Sequence, residues 1–165
     1  MKTLFLGFVG NSGSGKTTLI EKLIKIFSKK GYKVGAIKHD AHNFEIDYPG
    51  KDSYRMKHAG AKKVVLASKD KIAMVEDLDE EIPLKELKRM FKGFDLVFVE
   101  GYRLEDLHKI EVHRSQASTG YLIEQGIKNI VMVASDEKVE LGVPVVDLNE
   151  IEKIVEFIEN FITKV

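Results

Sequence analysis

Gly10-Asn11-Ser12-Gly13-Ser14-Gly15-Lys16-Thr17 satisfies the pattern G-x-x-x-x-G-K-[ST] at every fixed position. Its flanks narrow what the chain can fold into. Leu4 to Val9 is an apolar run of the length of one buried strand. Ile20, Leu23, Ile24 and Phe27 recur afterwards at helical spacing. Strand, glycine-rich loop, helix presents successive backbone N–H groups and a helix N-terminus to one anion. Gly10 to Thr17 are therefore expected to cradle phosphates, with Thr18 on the α-phosphate side. Lys16 is assigned to the β- and γ-phosphates and the Thr17 hydroxyl to Mg²⁺. The competing reading is an ordinary Gly/Ser turn that caps a helix.

The rest of the chain is read around that loop. A first helix from about Gly15 to Lys30 is closed by Gly31, and Lys33 to Lys38 forms a second strand. Strand, helix, strand at this spacing is a βαβ unit with a right-handed crossover. Asp95 to Gly101, Ile127 to Ala134 and Pro144 to Asp147 read as further strands. Lys109 to Arg114 alternates apolar and polar residues, as a half-exposed strand would. Lys62 to Ala67 and Ile72 to Glu76 pair as a hairpin or as neighbouring strands. Short helices are expected from Asp52 or Ser53 to Ala59 and from Pro83, and a final helix from near Asn149. The expected fold is α/β: a three-layer P-loop NTPase fold with a mostly parallel sheet and an added β-hairpin. No repeat or linker interrupts the sequence, so residues 1–165 are expected to form a single nucleotide-binding domain.

Composition excludes several functions. There is no cysteine, which removes disulfides, thiolate metal sites and a cysteine nucleophile. Lys plus Arg equals Asp plus Glu at 26 each, with no long basic run, so nothing favours a nucleic-acid partner. No segment approaches the length of a membrane span, and the N-terminal apolar run is too short for a signal peptide. A cytoplasmic protein with no membrane partner is expected.

A phosphate loop needs an acidic group on its metal side. Glu100 stands at the end of the apolar run Leu96 to Val99, and Gly101 lets the chain turn beside a ligand. Glu100 is expected to hold Mg²⁺ through water or to orient the attacking water, its alternative being a solvated carboxylate. Asp95, at the start of that run, is expected to be structural. Asp40 is the best further metal-side candidate in the polar stretch His39 to Asp52. For Asp47 and Asp52, turn and capping roles compete with ligand contact. His39 and His42 are three apart but lack a cysteine partner, so a dedicated metal site is the minority reading. His58, His108 and His113 show no ligand-like clustering. Asp136, after a buried strand, could accept from guanine N1–H and N2–H₂; its alternative is a turn or cap. The Asn/Thr-Lys-x-Asp signature is absent. Arg55, Arg103 and Arg114 are the mid-chain arginines that could approach phosphate.

Gly10 to Thr18, Ile37-Lys38-His39, Asp47-Tyr48-Pro49-Gly50-Lys51-Asp52-Ser53-Tyr54-Arg55, Ala59-Gly60-Ala61, Asp95 to Gly101 and Lys109-Ile110-Glu111-Val112 follow one another in that order. Together they closely resemble the MobB family, the molybdopterin-guanine dinucleotide biosynthesis protein B, over nearly the whole chain. The resemblance implies a homodimeric GTP-binding protein with weak GTPase activity. It also implies partners: a MobA-like guanylyltransferase that attaches GMP to molybdopterin, and molybdopterin-bearing proteins. The hairpin near Lys62 to Glu76 is a candidate dimer contact. Two positions depart from the family pattern: His108 precedes Lys-Ile in place of proline, and Arg103 follows Gly-Tyr in place of lysine. The expected function is binding and slow hydrolysis of GTP·Mg²⁺ in support of that synthesis. The alternatives are an adaptor in which hydrolysis is incidental and a small-molecule kinase.

Overall fold

A computed structural model describes residues 2–39 and 44–164. The chain divides into two compact units, Met1–His39 with Lys88–Val165, and Asp40–Leu87.

The larger unit is built on six strands: β1 (Leu4–Val9), β2 (Val34–Lys38), β5 (Leu96–Glu100), β6 (His108–His113), β7 (Ile130–Ser135) and β8 (Val145–Asp147). Their order is β2-β5-β1-β6-β7-β8, and every pairing is parallel. Helix α1 (Lys16–Lys29) connects β1 to β2, and α4 (Ile151–Ile162) follows β8. Leu19, Ile20, Leu23 and Phe27 of α1 and Ile154, Val155 and Ile158 of α4 bury against Leu6, Phe8, Phe98, Ile110 and Met132. This one cluster is the main core, and it follows from the helical periodicity of both apolar stripes. A second cluster joins Val9 and Val133 to Tyr121, Leu122 and Ile130, with Ile127, Val139 and Leu141 packed on it.

Parallel strands feeding one edge place the P-loop after β1, between the ends of β5 and β6. The sheet is also where one expectation changes. β6 is not half-exposed. It lies between β1 and β7 and is covered on both faces. Lys109, Glu111 and His113 are 1%, 1% and 3% exposed. Their alternation with apolar residues records dedicated polar partners, not solvent. The Lys109 ammonium donates to the carbonyls of Glu105 (2.6 Å), Leu107 (3.0 Å) and Lys128 (3.1 Å). Gly7 of β1 leaves room for its stem, since a Cβ there would stand 3.0 Å from Lys109 Cγ. The Glu111 carboxylate accepts the Leu122 and Ile123 N–H groups at 2.6 and 3.0 Å. Each charge is buried only because hydrogen bonds replace its water.

The smaller unit holds α2 (Asp52–His58) and the antiparallel hairpin of β3 (Lys63–Ala67) and β4 (Ile72–Glu76). The N-cap of α2 is Lys51, and no side chain caps it, so neither Asp52 nor Ser53 is the cap. Helix α3 (Leu84–Arg89) crosses the border of the units in sequence. Among the described residues, no helix is long and apolar enough to cross a membrane.

Candidate functional site

Three glycines shape the loop. Gly13 and Gly15 have φ of 78° and 94°, left-handed values that cost other residues energy. Gly10 is set by space: a Cβ there would stand 2.3 Å from the Val112 carbonyl oxygen and 2.7 Å from Ser14 Oγ. Gly10→Ala is expected to destabilise the fold by about 1–3 kcal/mol, the usual cost of overpacking. A urea midpoint equal to that of the unmutated protein would show that the loop moves aside freely.

Gly15 is the N-cap of α1, so the helix opens on Lys16 and Thr17. Lys16 Nζ bends back to the Gly10 and Asn11 carbonyls, 2.9 Å from each. Burial holds its pKa below 10.5. Glu100 opposes that shift, while the charges of Arg103 and Lys38 reinforce it. Thr17 Oγ1 donates to Glu100 at 3.1 and 2.9 Å from its two carboxylate oxygens, across 83 positions of sequence. Glu100 comes to this place because β5 pairs beside β1, with Phe8 opposite Glu100. On the other side Lys38 of β2 is also opposite Glu100, and its Nζ lies 3.7 Å from Glu100 Oε1. Lys38 is a member of the site that strand reading missed. The signal was its position as the last residue of a strand ending beside Glu100. Ser14 Oγ is buried with no hydrogen-bond partner among the described residues. Asn11 is half-buried, while Ser12, Gly13 and Thr18 are exposed on the rim.

Asp40 and His42 lie outside the described residues. The His39 N–H donates to the Glu100 carbonyl at 2.9 Å and its ring tilts on Tyr102, centroids 4.4 Å apart. Tyr102 has φ of 50°, a left-handed value uncommon for a residue other than glycine, directly after Gly101 at 93° at the exit of β5. A Cβ on Gly101 would stand 3.1 Å from His39 Cβ. Asp95 accepts the Lys33 N–H at 2.7 Å, a structural role. Within the smaller unit the Asp47 carboxylate accepts the N–H of the next residue, Tyr48, at 2.9 Å, and Asp52 faces Arg55 at 3.6 Å.

Asp136 follows β7. Its carboxylate accepts the Ser115 N–H at 2.8 Å and the Ser115 hydroxyl at 3.0 Å, and these bonds hold its pKa below 3.8. Beside it, an open polar cleft of about 540 Å³ is lined by Ser135 to Val139, Val145, Asp147, Glu150 and Lys153. His113 contradicts the expectation of no clustering. Its Nε2 lies 3.0 Å from Glu137 Oε2, its ring stacks on Tyr121 at 3.9 Å, and Tyr121 also reaches Ser135 and Glu137. His113, Asp136 and Glu137 bring three potential ligand atoms within 4.8 Å. His113 Nε2 already faces Glu137 and the Asp136 carboxylate is taken by Ser115, while His113 Nδ1 is buried with no hydrogen-bond partner among the described residues. His58 and His108 instead pack their rings on Tyr54 and Phe161.

A parallel sheet whose first strand runs through this loop into α1, with Thr17 on the carboxylate of the neighbouring strand, defines a P-loop NTPase-like α/β protein. The family model for molybdopterin guanine dinucleotide synthesis protein B matches residues 5–136. The chain therefore belongs to the MobB family. It is 38% identical over 159 residues to the molybdopterin-guanine dinucleotide biosynthesis adapter protein of Haemophilus influenzae, covering 95% of this chain and 88% of that one. Identity to the Escherichia coli protein of the same description is 36% over 165 residues, covering 96% and 93%. The crystal structure of a MobB homolog from Bacillus stearothermophilus has the same fold, with a TM-score of 0.76, 23% identity and coverage of 98% and 99%.

Proposed function

We propose that this chain is an adapter in molybdopterin-guanine dinucleotide biosynthesis that binds GTP·Mg²⁺ and hydrolyses it slowly. The observation that carries the nucleotide reading is the Thr17–Glu100 contact at 2.9–3.1 Å beside Lys16, at the mouth of a glycine loop. The role in biosynthesis rests on the relatives, which are described as adapters for that synthesis.

The residues divide the work by position. Loop N–H groups from Gly10 to Thr18 surround the phosphates, and the Lys16 ammonium turns from its loop carbonyls to the β- and γ-phosphate oxygens. Thr17 Oγ1 and the Glu100 carboxylate are hard oxygen donors side by side, the type Mg²⁺ takes, so they would hold the ion. Bound there, Mg²⁺ would neutralise charge on the β- and γ-phosphates. Glu100 also orients water toward the γ-phosphorus. As the new P–O bond forms, the bond to the β–γ bridging oxygen breaks and GDP leaves with that electron pair. The water proton passes to phosphate and solvent. Lys16 and the loop amides stabilise the charge that develops. The cleft beside Asp136 would take the base. Guanine presents N1–H and N2–H₂ as donors, and Asp136 keeps a second lone pair on each oxygen to accept them.

The proposed setting is cytoplasmic, as a homodimer acting with a MobA-like guanylyltransferase and molybdopterin-bearing proteins. GTP with Mg²⁺ is expected to bind tighter than ATP, with free phosphate released on the order of 10⁻³ per second, the scale of unassisted P-loop hydrolysis. Equal affinity for the two nucleotides would remove guanine recognition. Transfer of phosphate to an acceptor, with none released, would replace hydrolysis by kinase chemistry.

A further inference from the structure

We propose that Arg114 is a nucleotide-binding residue that holds the α-phosphate from outside the P-loop. This rests on the nucleotide-binding reading above and extends it to a side chain of another strand.

Arg114 directly follows β6, whose end is pressed on the loop at Gly10 through the Val112 carbonyl. There the chain turns, with the Ala117 N–H donating to the Arg114 carbonyl at 2.9 Å. Both ends of that turn lie on P-loop glycines. Arg114 Nη2 stands 3.7 Å from where a Gly15 Cβ would be, and Ala117 Cβ stands 3.7 Å from the corresponding point of Gly13. Neither glycine could carry a side chain without filling the space between the turn and the loop. Asp136 fastens the turn from its far side through both Ser115 bonds. The Asp136 bonds hold the turn, and its one cation stands beside the last glycine of the loop.

Arg114 is half-buried, and among the described residues its guanidinium makes no hydrogen bond or ion pair. A partly desolvated cation beside an anion-binding loop, with no protein acceptor, is suited to an anionic ligand. The choice of phosphate follows from the other cations. Lys38 and Arg103 act on Lys16, and Lys38 reaches Glu100, so those charges gather on the β5 side where the terminal phosphates belong. Arg114 lies on the β6–β7 side, and its charge acts on Asp136 instead. The phosphate on that side is the one joined to the nucleoside.

The test is titration of GTP, GDP and ATP with Mg²⁺ into the full chain and into the variants Arg114→Ala and Arg114→Gln, the second keeping the stem. An α-phosphate contact predicts that both variants lose about 10- to 100-fold in affinity, equally for all three nucleotides, the scale of one charge-assisted hydrogen bond. Arg114→Lys is expected to recover part of the loss. Unchanged affinities would overturn the proposal. So would a loss confined to GTP and ATP with GDP spared, which would place Arg114 on the γ-phosphate. A changed GTP-to-ATP ratio would make it a base contact and overturn it as well. If the unmutated chain binds none of the three, the nucleotide reading falls and Arg114 with it. If the unmutated chain binds and the variants bind as well, only Arg114 falls.

Discussion

Lys16→Ala is expected to lower GTP affinity about 100-fold, the upper range for one charge-assisted contact. Without nucleotide, Lys16 Nζ already sits over the loop, 2.9 Å from the Gly10 and Asn11 carbonyls. Its ammonium is partly desolvated and is repelled by Arg103 and Lys38, which is why its pKa is lowered. A phosphate arriving there meets a cation that has already lost part of its hydration shell, so little further desolvation opposes the contact. The loop amides remain in the variant, so binding should weaken rather than vanish. Fold stability should change little, because the two carbonyls sit at the loop mouth where water can replace the ammonium. Titration of a fluorescent GTP analogue reads the first effect and thermal melting the second. A loss under threefold would remove Lys16 from the phosphate site.

The largest stability effect is expected at Lys109, far from any ligand. Lys109→Met keeps the stem and deletes the ammonium, leaving the Glu105, Leu107 and Lys128 carbonyls without their donor. The cost should be about 3–5 kcal/mol, reduced from the sum of three orphaned groups by whatever water reaches the outer two. At this chain length that lowers Tm by about 10 °C. Alkaline pH supplies a second readout. Burial holds the Lys109 ammonium below its usual 10.5, against the opposing pull of Asp106 and Glu105. Between the folded value and 10.5 the unfolded chain binds more protons than the folded one, so stability rises with pH across that window. Lys16 contributes a slope of the same sign. The difference between the unmutated protein and Lys109→Met therefore isolates Lys109, and the variant should show the shallower rise. Equal slopes would mean that the ammonium is not desolvated in the fold.

Lys109 also shows where strand reading stops. The alternation Lys109-Ile110-Glu111-Val112-His113 is what a strand with one wet face displays. Periodicity reports that successive side chains point to opposite faces and is silent on what covers each face. Here the polar face meets backbone groups arriving from the chain at Glu105, Leu122 and Lys128. The same limit applies to Asp136. A carboxylate after a buried strand reads equally as a base acceptor or a turn residue, and the structure places Ser115 on both of its oxygens.

Most of the fold was legible because its signals are local. The apolar stripes of α1 and α4, the glycine that ends α1 and the valine-rich strands each depend on neighbours a few residues away. Family membership was legible for a related reason, since an ordered series of short motifs survives in the sequence whatever the fold does with it.

The sequence by itself determined the phosphate loop. Gly13 and Gly15 permit left-handed backbone that other residues resist, Gly10 leaves space beside Val112, and strand and helix adjoin the loop in the chain. Glu100 was already legible as the acid at a strand end, but tertiary structure alone decided which side chains stand together on each side of the loop. The order β2-β5-β1-β6 puts Glu100 and Lys38 on one flank of that loop and Arg114 on the other. No local preference encodes those neighbours, because they depend on which strands pair, and pairing is set by burial across the whole sheet.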